Sequence, residues 1–412
     1  HYNRYEEDIR YLAEAGLNAY RFSIEWARIE PEEGRFDASE IEHYRKVILF
    51  CRAYGVAPIV TVPHFSSPAG LIAKGGWEAD TVVDDFARYA RYVMENLGDE
   101  LGYVCTINEA NMRLQICAVA RQYMLQIQAQ MAAADSAHSA ESGVQLGIDL
   151  QKMLEAREES AKEIREVFGV DDPQTFFAPC TEHGDALIMK AHQAAVAVIR
   201  EVAPQVKGGL TLSLHDLKEV PASLSADQTE KAQAENSQAE NVSRLAAAQK
   251  NAAKEWEEEF RHYLPAISGD DFIGVQNYTR SLIGPEGSLP NPDGAKLTQS
   301  GYEFYPQALA HVIRAVAKDF HGEILVTENG VSTAEDADRV LFIEEATKGV
   351  AECIADGIPI KGYMYWSLLD NFEWQKGYAM TFGLIAVDRA TQERMLKPSL
   401  GYLGGRSVLF EK

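Results

Sequence analysis

The feature that most limits how this chain folds is a repeating alternation. Short β-branched or aromatic runs give way, again and again, to amphipathic helical stretches, the mark of βα units around a parallel sheet. Asn18–Ile24 (NAYRFSI), Val56–Val62 (VAPIVTV), Gly102–Asn108, Gly208–Leu214 (GGLTLSL), Phe272–Tyr278, Ile324–Thr327 and Ile360–Ser367 read as seven strands. Helical patterns lie between most of them. Tyr5–Ala15 carries Ile9, Leu12 and Ala13 on one face before Gly16 stops it, and Val82–Leu97 and Tyr305–Asp319 keep the same period. The pattern predicts an α/β fold, and 412 residues suffice for one barrel with insertions.

Two segments break the rhythm. Met112–Val170, rich in Ala, Gln and Glu, reads as one or two exposed helices inserted after the third strand, and Ser223–Glu259 as a second peripheral helical stretch. Neither has the Pro/Gly/Ser chemistry of a linker, so residues 1–412 read as a single domain with insertions at about 112–170 and 223–259. No repeat of roughly 20–50 residues is evident.

Charge narrows the partners. With 39 Lys and Arg against 62 Asp and Glu, the net charge of −23 argues against nucleic acid or an anionic membrane surface. Cys51, Cys105, Cys117, Cys180 and Cys353 form no CxxC pair, so neither a disulfide framework nor a zinc site is expected. They fit a reducing compartment. With no apolar run of about 18 residues and no visible signal peptide, the expected location is cytoplasmic. Asn241-Val242-Ser243 matches a glycosylation acceptor, a triplet common by chance.

The chemistry lies at strand ends. The third strand runs through Thr106-Ile107 into Asn108-Glu109, and the sixth through Val326-Thr327 into Glu328-Asn329-Gly330. Each delivers a carboxylate to a C-terminal strand end, and in a parallel barrel those ends open onto one face, where active sites sit. Two such carboxylates suit hydrolysis of a glycosidic bond: one protonates the leaving oxygen while the other attacks the anomeric carbon or activates water. A glutamate in such a place equally well starts a loop, caps a helix or pairs with a cation. A metal-dependent hydrolase would need clustered ligands, and only His64 and His215 stand at strand ends.

Five blocks resolve the choice. YRFSIEWARIEPEEGRFD (20–37), TINEAN (106–111), DFIGVQNYTR (271–280), LVTENG (325–330) and YWSLLDNFEWQKGYAMTFGLIAVDR (365–389) resemble, in order, the signature blocks of glycoside hydrolase family 1. That family includes β-glucosidases, β-galactosidases and related retaining enzymes. The resemblance implies a (β/α)8 TIM barrel, retention of anomeric configuration, a small carbohydrate substrate, no cofactor and no metal. Glu109 resembles the family's general acid/base and Glu328 its nucleophile. Arg21 and Tyr278 resemble the partners that lower the nucleophile's pKa, and Asn108 the residue bonded to the sugar 2-hydroxyl. His64, Phe65, Trp366, Glu373, Trp374 and Phe382 match sugar-binding positions, where aromatic faces stack on the pyranose and polar groups take its hydroxyls. A carboxylate at Glu373 repels a sugar 6-phosphate, so unphosphorylated β-glucosides, and after them galactosides and fucosides, are the expected substrates. Oligomeric state is not legible.

Departures from the family pattern are equally specific. His64-Phe65-Ser66-Ser67-Pro68 has Phe where the family usually has Trp and lacks its Asp; Ala110 replaces the usual Pro; and Gln276-Asn277-Tyr278 stands where Asn-Tyr-Tyr is common. His1-Tyr2 aligns just before the family's first barrel helix, which leaves the first strand and its sugar-binding Gln outside these residues. Three readings stand: the segment precedes His1 in the parent protein, the chain is truncated and binds sugar with little catalysis, or another segment fills the slot. Seven strands alone leave two unpaired edges.

Overall fold

The computed structural model describes residues 1–118, 160–221, 238–374 and 376–407. Seven strands form one parallel sheet: β1 (Ala19–Ser23), β2 (Ala57–Thr61), β3 (Tyr103–Cys105), β4 (Lys207–Ser213), β5 (Phe272–Gln276), β6 (Glu323–Asn329) and β7 (Ile360–Tyr365). Each pairs in parallel with the next in chain order, and the sheet curls into a nearly closed barrel. The order follows from βα connectivity, since a parallel neighbour needs a crossover and a helix is the shortest that covers the sheet. All seven sequence-predicted strands are present, with the third ending earlier, at Cys105, and the sixth running further, through Asn329.

The helices pack outside. They are α1 (Tyr5–Glu14), α2 (Ala38–Ala53), α3 (Val82–Leu97), α4 (Glu182–Val202), α5 (Gln238–Glu259), α6 (Ala308–Val316), α7 (Asp336–Ala355) and α8 (Pro398–Gly404). Asp37 caps α2 by accepting from the backbone of Ser39 and Glu40, and Thr181 caps α4 by accepting from Gly184. Apolar stripes such as Phe86, Tyr89, Val93 and Leu97 on α3 are fully buried against the strands. Inside the barrel the packing is close enough to demand glycine: a Cβ on Gly209 would lie 2.2 Å from the Phe272 carbonyl.

Strands β1 and β7 are the two edges of the sheet. No other described segment pairs with either, and the wall between them holds two cavities of about 330 and 360 Å³, lined by residues of both strands. Among the described residues no helix is long and apolar enough to cross a membrane.

The insertions follow the sequence reading only in part. Residues 119–159 and 222–237 lie outside the described residues; residues 160–168 form a largely exposed helix, as expected, but residues 112–117 are helical and buried or half-buried. Arg113 is fully buried there, bonded to Glu78 at 2.7 Å and to the Trp77 carbonyl at 3.2 Å, because a guanidinium surrounded by acceptors tolerates burial. Likewise α5 is not peripheral throughout: Ala248, Ala252 and Glu259 are buried.

The chain ends meet in a buried ion pair. Arg394 binds Asp8 of α1 with Nε–Oδ1 at 2.8 Å and Nη2–Oδ2 at 3.1 Å, both side chains at most 1% exposed. Removing one partner strands the other charge. Asp8→Ala is therefore expected to destabilise the protein by about 3–5 kcal/mol in urea unfolding; a change under about 1 kcal/mol would show that the pair holds nothing together.

Candidate active site

The C-terminal strand ends open onto a cleft of about 290 Å³. Glu109 enters it from the segment after β3, in a backbone conformation that L-residues seldom adopt, with φ of +42°. Its N–H donates to Thr211 Oγ1 at 2.9 Å and the next N–H to the Thr211 carbonyl at 3.1 Å, so β4 holds the turn in place. Strained backbone of this kind persists where its surroundings enforce it, as here.

Glu328 arrives on β6 through a bulge. Val275 pairs with Val326, but Gln276 pairs with Glu328, so one extra residue, Thr327, re-aims the strand. The Glu328 carboxylate then accepts from Arg21 Nη1 at 2.7 Å, Tyr278 Oη at 2.6 Å and Gln276 Nε2 at 3.1 Å. Arg21 also donates to Asn108 Oδ1, as does Gln276 at 2.9 Å. These donors fix the Asn108 amide and turn its Nδ2 toward His64 Nε2, 3.2 Å away. That nitrogen must accept, so His64 is neutral with its proton on Nδ1. Burial, seconded by Arg21, agrees by pushing the His64 pKa down to about 3.

The two carboxyls differ in company. Burial, then the Glu328 charge, drives the Glu109 pKa up to about 8, against the pull of Arg21, the Ser213 hydroxyl and His215. Glu328 is also raised by burial, with Arg21 and Tyr278 acting to lower it. Arg21 and Tyr278 thus lower the Glu328 pKa as the resemblance implies, though burial outweighs them. The arrangement favours the proton on Glu109, because the direct ion pair belongs to Glu328.

The opposite wall is aromatic. Trp366 stacks on His64 with ring centroids 5.6 Å apart and donates Nε1–H to Glu373 at 3.1 Å, and Asn371 donates to the same carboxylate oxygen at 2.7 Å. Phe382 meets Tyr278 edge to face at 6.1 Å. Trp374, half exposed, packs on Phe177 at 5.2 Å and on Phe65 at 6.0 Å. Phe65 holds a φ of +72°, is buried, and lines the cleft.

Every side chain singled out in the sequence meets at this cleft, Arg21 and Asn108 through their bonds to Glu328 and to each other. Several to which the sequence reading gave no role are there too: Thr211, Ser213 and Gln276 from strands, Met112 and Ile116 from the insertion, Phe177 from the stretch after it, and Tyr302 and Met380 from loops. Polar residues at the ends of β4 and β5 were the available signal for the first three. Among the described residues no three His, Cys, Asp or Glu side chains gather as metal ligands; His215 instead binds Glu259.

A parallel barrel with two buried carboxyls and a wall of aromatic and polar side chains at its C-terminal face has the architecture of a glycoside hydrolase. The chain belongs to glycosyl hydrolase family 1, whose model matches residues 1–142 and 181–405. It is 29% identical to β-glucosidase A of Thermotoga maritima over 98% of this chain and 84% of that protein. It is also 29% identical to the β-glucosidase of Agrobacterium sp., over 97% of this chain and 82% of that protein. Among solved structures, β-glycosidase BGL167 superposes with a TM-score of 0.79 at 36% identity, covering 100% of this chain and 86% of that one. The protein is thus a β-glycosidase of this family.

The raised Glu109 pKa has a stability signature. The folded state keeps a proton there that the unfolded chain releases near its ordinary carboxylate pKa, so wild type loses stability as pH rises from that value to about 8. Glu109→Gln carries no such burden. Its unfolding free energy relative to wild type is expected to rise between about pH 5 and pH 8, by up to roughly 1.4 kcal/mol per pH unit, as read by urea unfolding at each pH. A difference that is flat with pH contradicts the raised value.

Proposed function

We propose that the protein is a retaining β-glycosidase acting on small, unphosphorylated β-linked glucosides, in one catalytic unit spanning residues 1–412. Galactosides and fucosides are the secondary substrates of this reading. The observation that carries it is the asymmetry of the two carboxyls: Glu328 is clasped by Arg21, Tyr278 and Gln276, while among the described residues no cation is bonded to Glu109, whose pKa is pushed up to about 8.

The asymmetry supports the following steps. Glu328, ionised and oriented by Arg21 and Tyr278, attacks the anomeric carbon while Glu109 passes its proton to the leaving glycosidic oxygen. Forming the ester removes the negative charge of Glu328, and the Glu109 pKa falls with it. Glu109 then takes a proton from water, which hydrolyses the glycosyl-enzyme from the same face. Asn108 stands beside both carboxyls to hold the 2-hydroxyl, a contact that strengthens in the oxocarbenium-like transition state. Trp366 and Glu373 hold the far side of the sugar, with His64 as a neutral donor through Nδ1–H. A binder without catalysis would need the two carboxylates out of register, and nothing in their partners favours that.

Trapping tests the assignment. A 2-deoxy-2-fluoro glucoside with a good leaving group is expected to inactivate the enzyme and to be recovered on Glu328 by peptide mass spectrometry; label on any other residue overturns the reading. Glu328→Gln is expected to lower kcat by at least about 1,000-fold with the fold intact.

Substrate class is read separately. Glu373 lines the cleft, and its charge disfavours a 6-phosphate. The unphosphorylated aryl β-glucoside is expected to have a kcat/KM at least about tenfold above that of its 6-phospho counterpart, and the reverse preference rules out the assigned substrate class.

A further inference from the structure

Beyond Ser213, at the end of β4, His215 stands on the cleft wall on the Glu109 side. Its Nδ1 lies 2.7 Å from Glu259 Oε1, and its backbone N–H donates to Glu259 Oε2 at 3.2 Å. Glu259 is the last residue of α5 and is only 6% exposed. Gln115 donates to the same carboxylate at 3.3 Å, while Asn111 donates to the Glu259 carbonyl at 2.9 Å and to the Ser213 carbonyl at 2.7 Å. Asn111 and Gln115 belong to the segment that follows Glu109. One knot of bonds therefore joins the three elements that build this side of the cleft, and a carboxylate against Nδ1 orients the imidazole and favours its charged form.

We propose that His215, held by Glu259, is a positioning residue for Glu109: a fixed positive charge beside the acid/base that sets the alkaline edge of activity. The inference rests on the assignment of Glu109 above. The charges around the pair are few and can be named. Glu259 and Glu255 face His215 from α5 and Glu109 faces it across the cleft, whereas Asp216 is turned away to His311, 2.7 Å distant. Glu109 is faced by Glu328, Arg21, His215 and the Ser213 hydroxyl, with Tyr278 and Tyr302 nearby. Burial alone would strip the imidazole of its proton, but Glu259 and its neighbours hold the His215 pKa up to about 9. The ring thus stays cationic across the range in which Glu109 titrates.

The sign follows directly. A cation near a carboxyl favours its ionised form, so losing the cation lets Glu109 keep its proton to higher pH. In kcat/KM against pH for a neutral aryl β-glucoside, His215→Gln is expected to move the alkaline limb up by about 0.5–1 unit, the scale of one neighbouring charge. Glu259→Gln, which leaves the imidazole without its counter-charge, is expected to move the limb the same way. The acid limb, governed by Glu328, stays in place in both, and His215→Arg restores the wild-type limb. An unmoved or lowered alkaline limb in either folded variant overturns the proposal, as does a parallel shift of both limbs. Glu109→Gln separates the underlying reading, since it should abolish the alkaline limb altogether; a limb that survives there refutes the acid/base assignment itself.

Discussion

Two carboxylates forced together inside a barrel mouth are the constraint on which this site depends. At the spacing of about 5 Å that a retaining mechanism needs, and an effective dielectric near 20, like charges repel by roughly 3 kcal/mol, which favours a single proton shared by such a pair at neutral pH. Arg21 favours the proton's going to Glu109. It is bonded directly to Glu328 at 2.7 Å and to Asn108, whereas it acts on Glu109 only through space, against burial and the Glu328 charge. Division of labour between chemically identical groups then needs only placement.

Placement in turn is a property of the backbone. A bulge at Thr327 brings Glu328 opposite Gln276, and a left-handed turn at Glu109 is pinned by Thr211 on the adjacent strand. Parallel strands in chain order bring β3, β4, β5 and β6 side by side, so residues far apart in sequence share one hydrogen-bond network. The network is closed on itself: Asn108 Oδ1 accepts from both Arg21 and Gln276, which fixes the face it turns to His64. Such mutual fixing is what holds side chains near productive geometry without substrate.

Much of this was legible in the sequence, for identifiable reasons. Period-two and period-3.6 patterns survive in strands and helices buried on known faces, so all seven strands were found. The strand-end rule placed Glu109 and Glu328 because an apolar run that ends on a carboxylate is conspicuous. Gln276 and Ser213 were passed over because their neighbours, Tyr278 and His215, are more striking residue types at the same strand ends. The inserted segments misled for a different reason: an Ala/Glu/Gln composition describes an exposed helix well on average. It does not reveal that single residues at the ends, such as Arg113 and Glu259, are turned inward onto partners distant in the chain. Burial, which no local pattern records, raises the Glu328 pKa even though Arg21 and Tyr278 pull it down as the resemblance implies.

The location of the shared proton is open to direct observation. With glutamates labelled with ¹³C at the side-chain carboxyl, and Glu109→Gln and Glu328→Gln used for assignment, the chemical shifts report each titration. One resonance assigned to Glu109 should remain protonated through neutral pH and titrate near 8, while that of Glu328 is already ionised there. Finding the neutral-pH proton on Glu328 instead would contradict the division of roles.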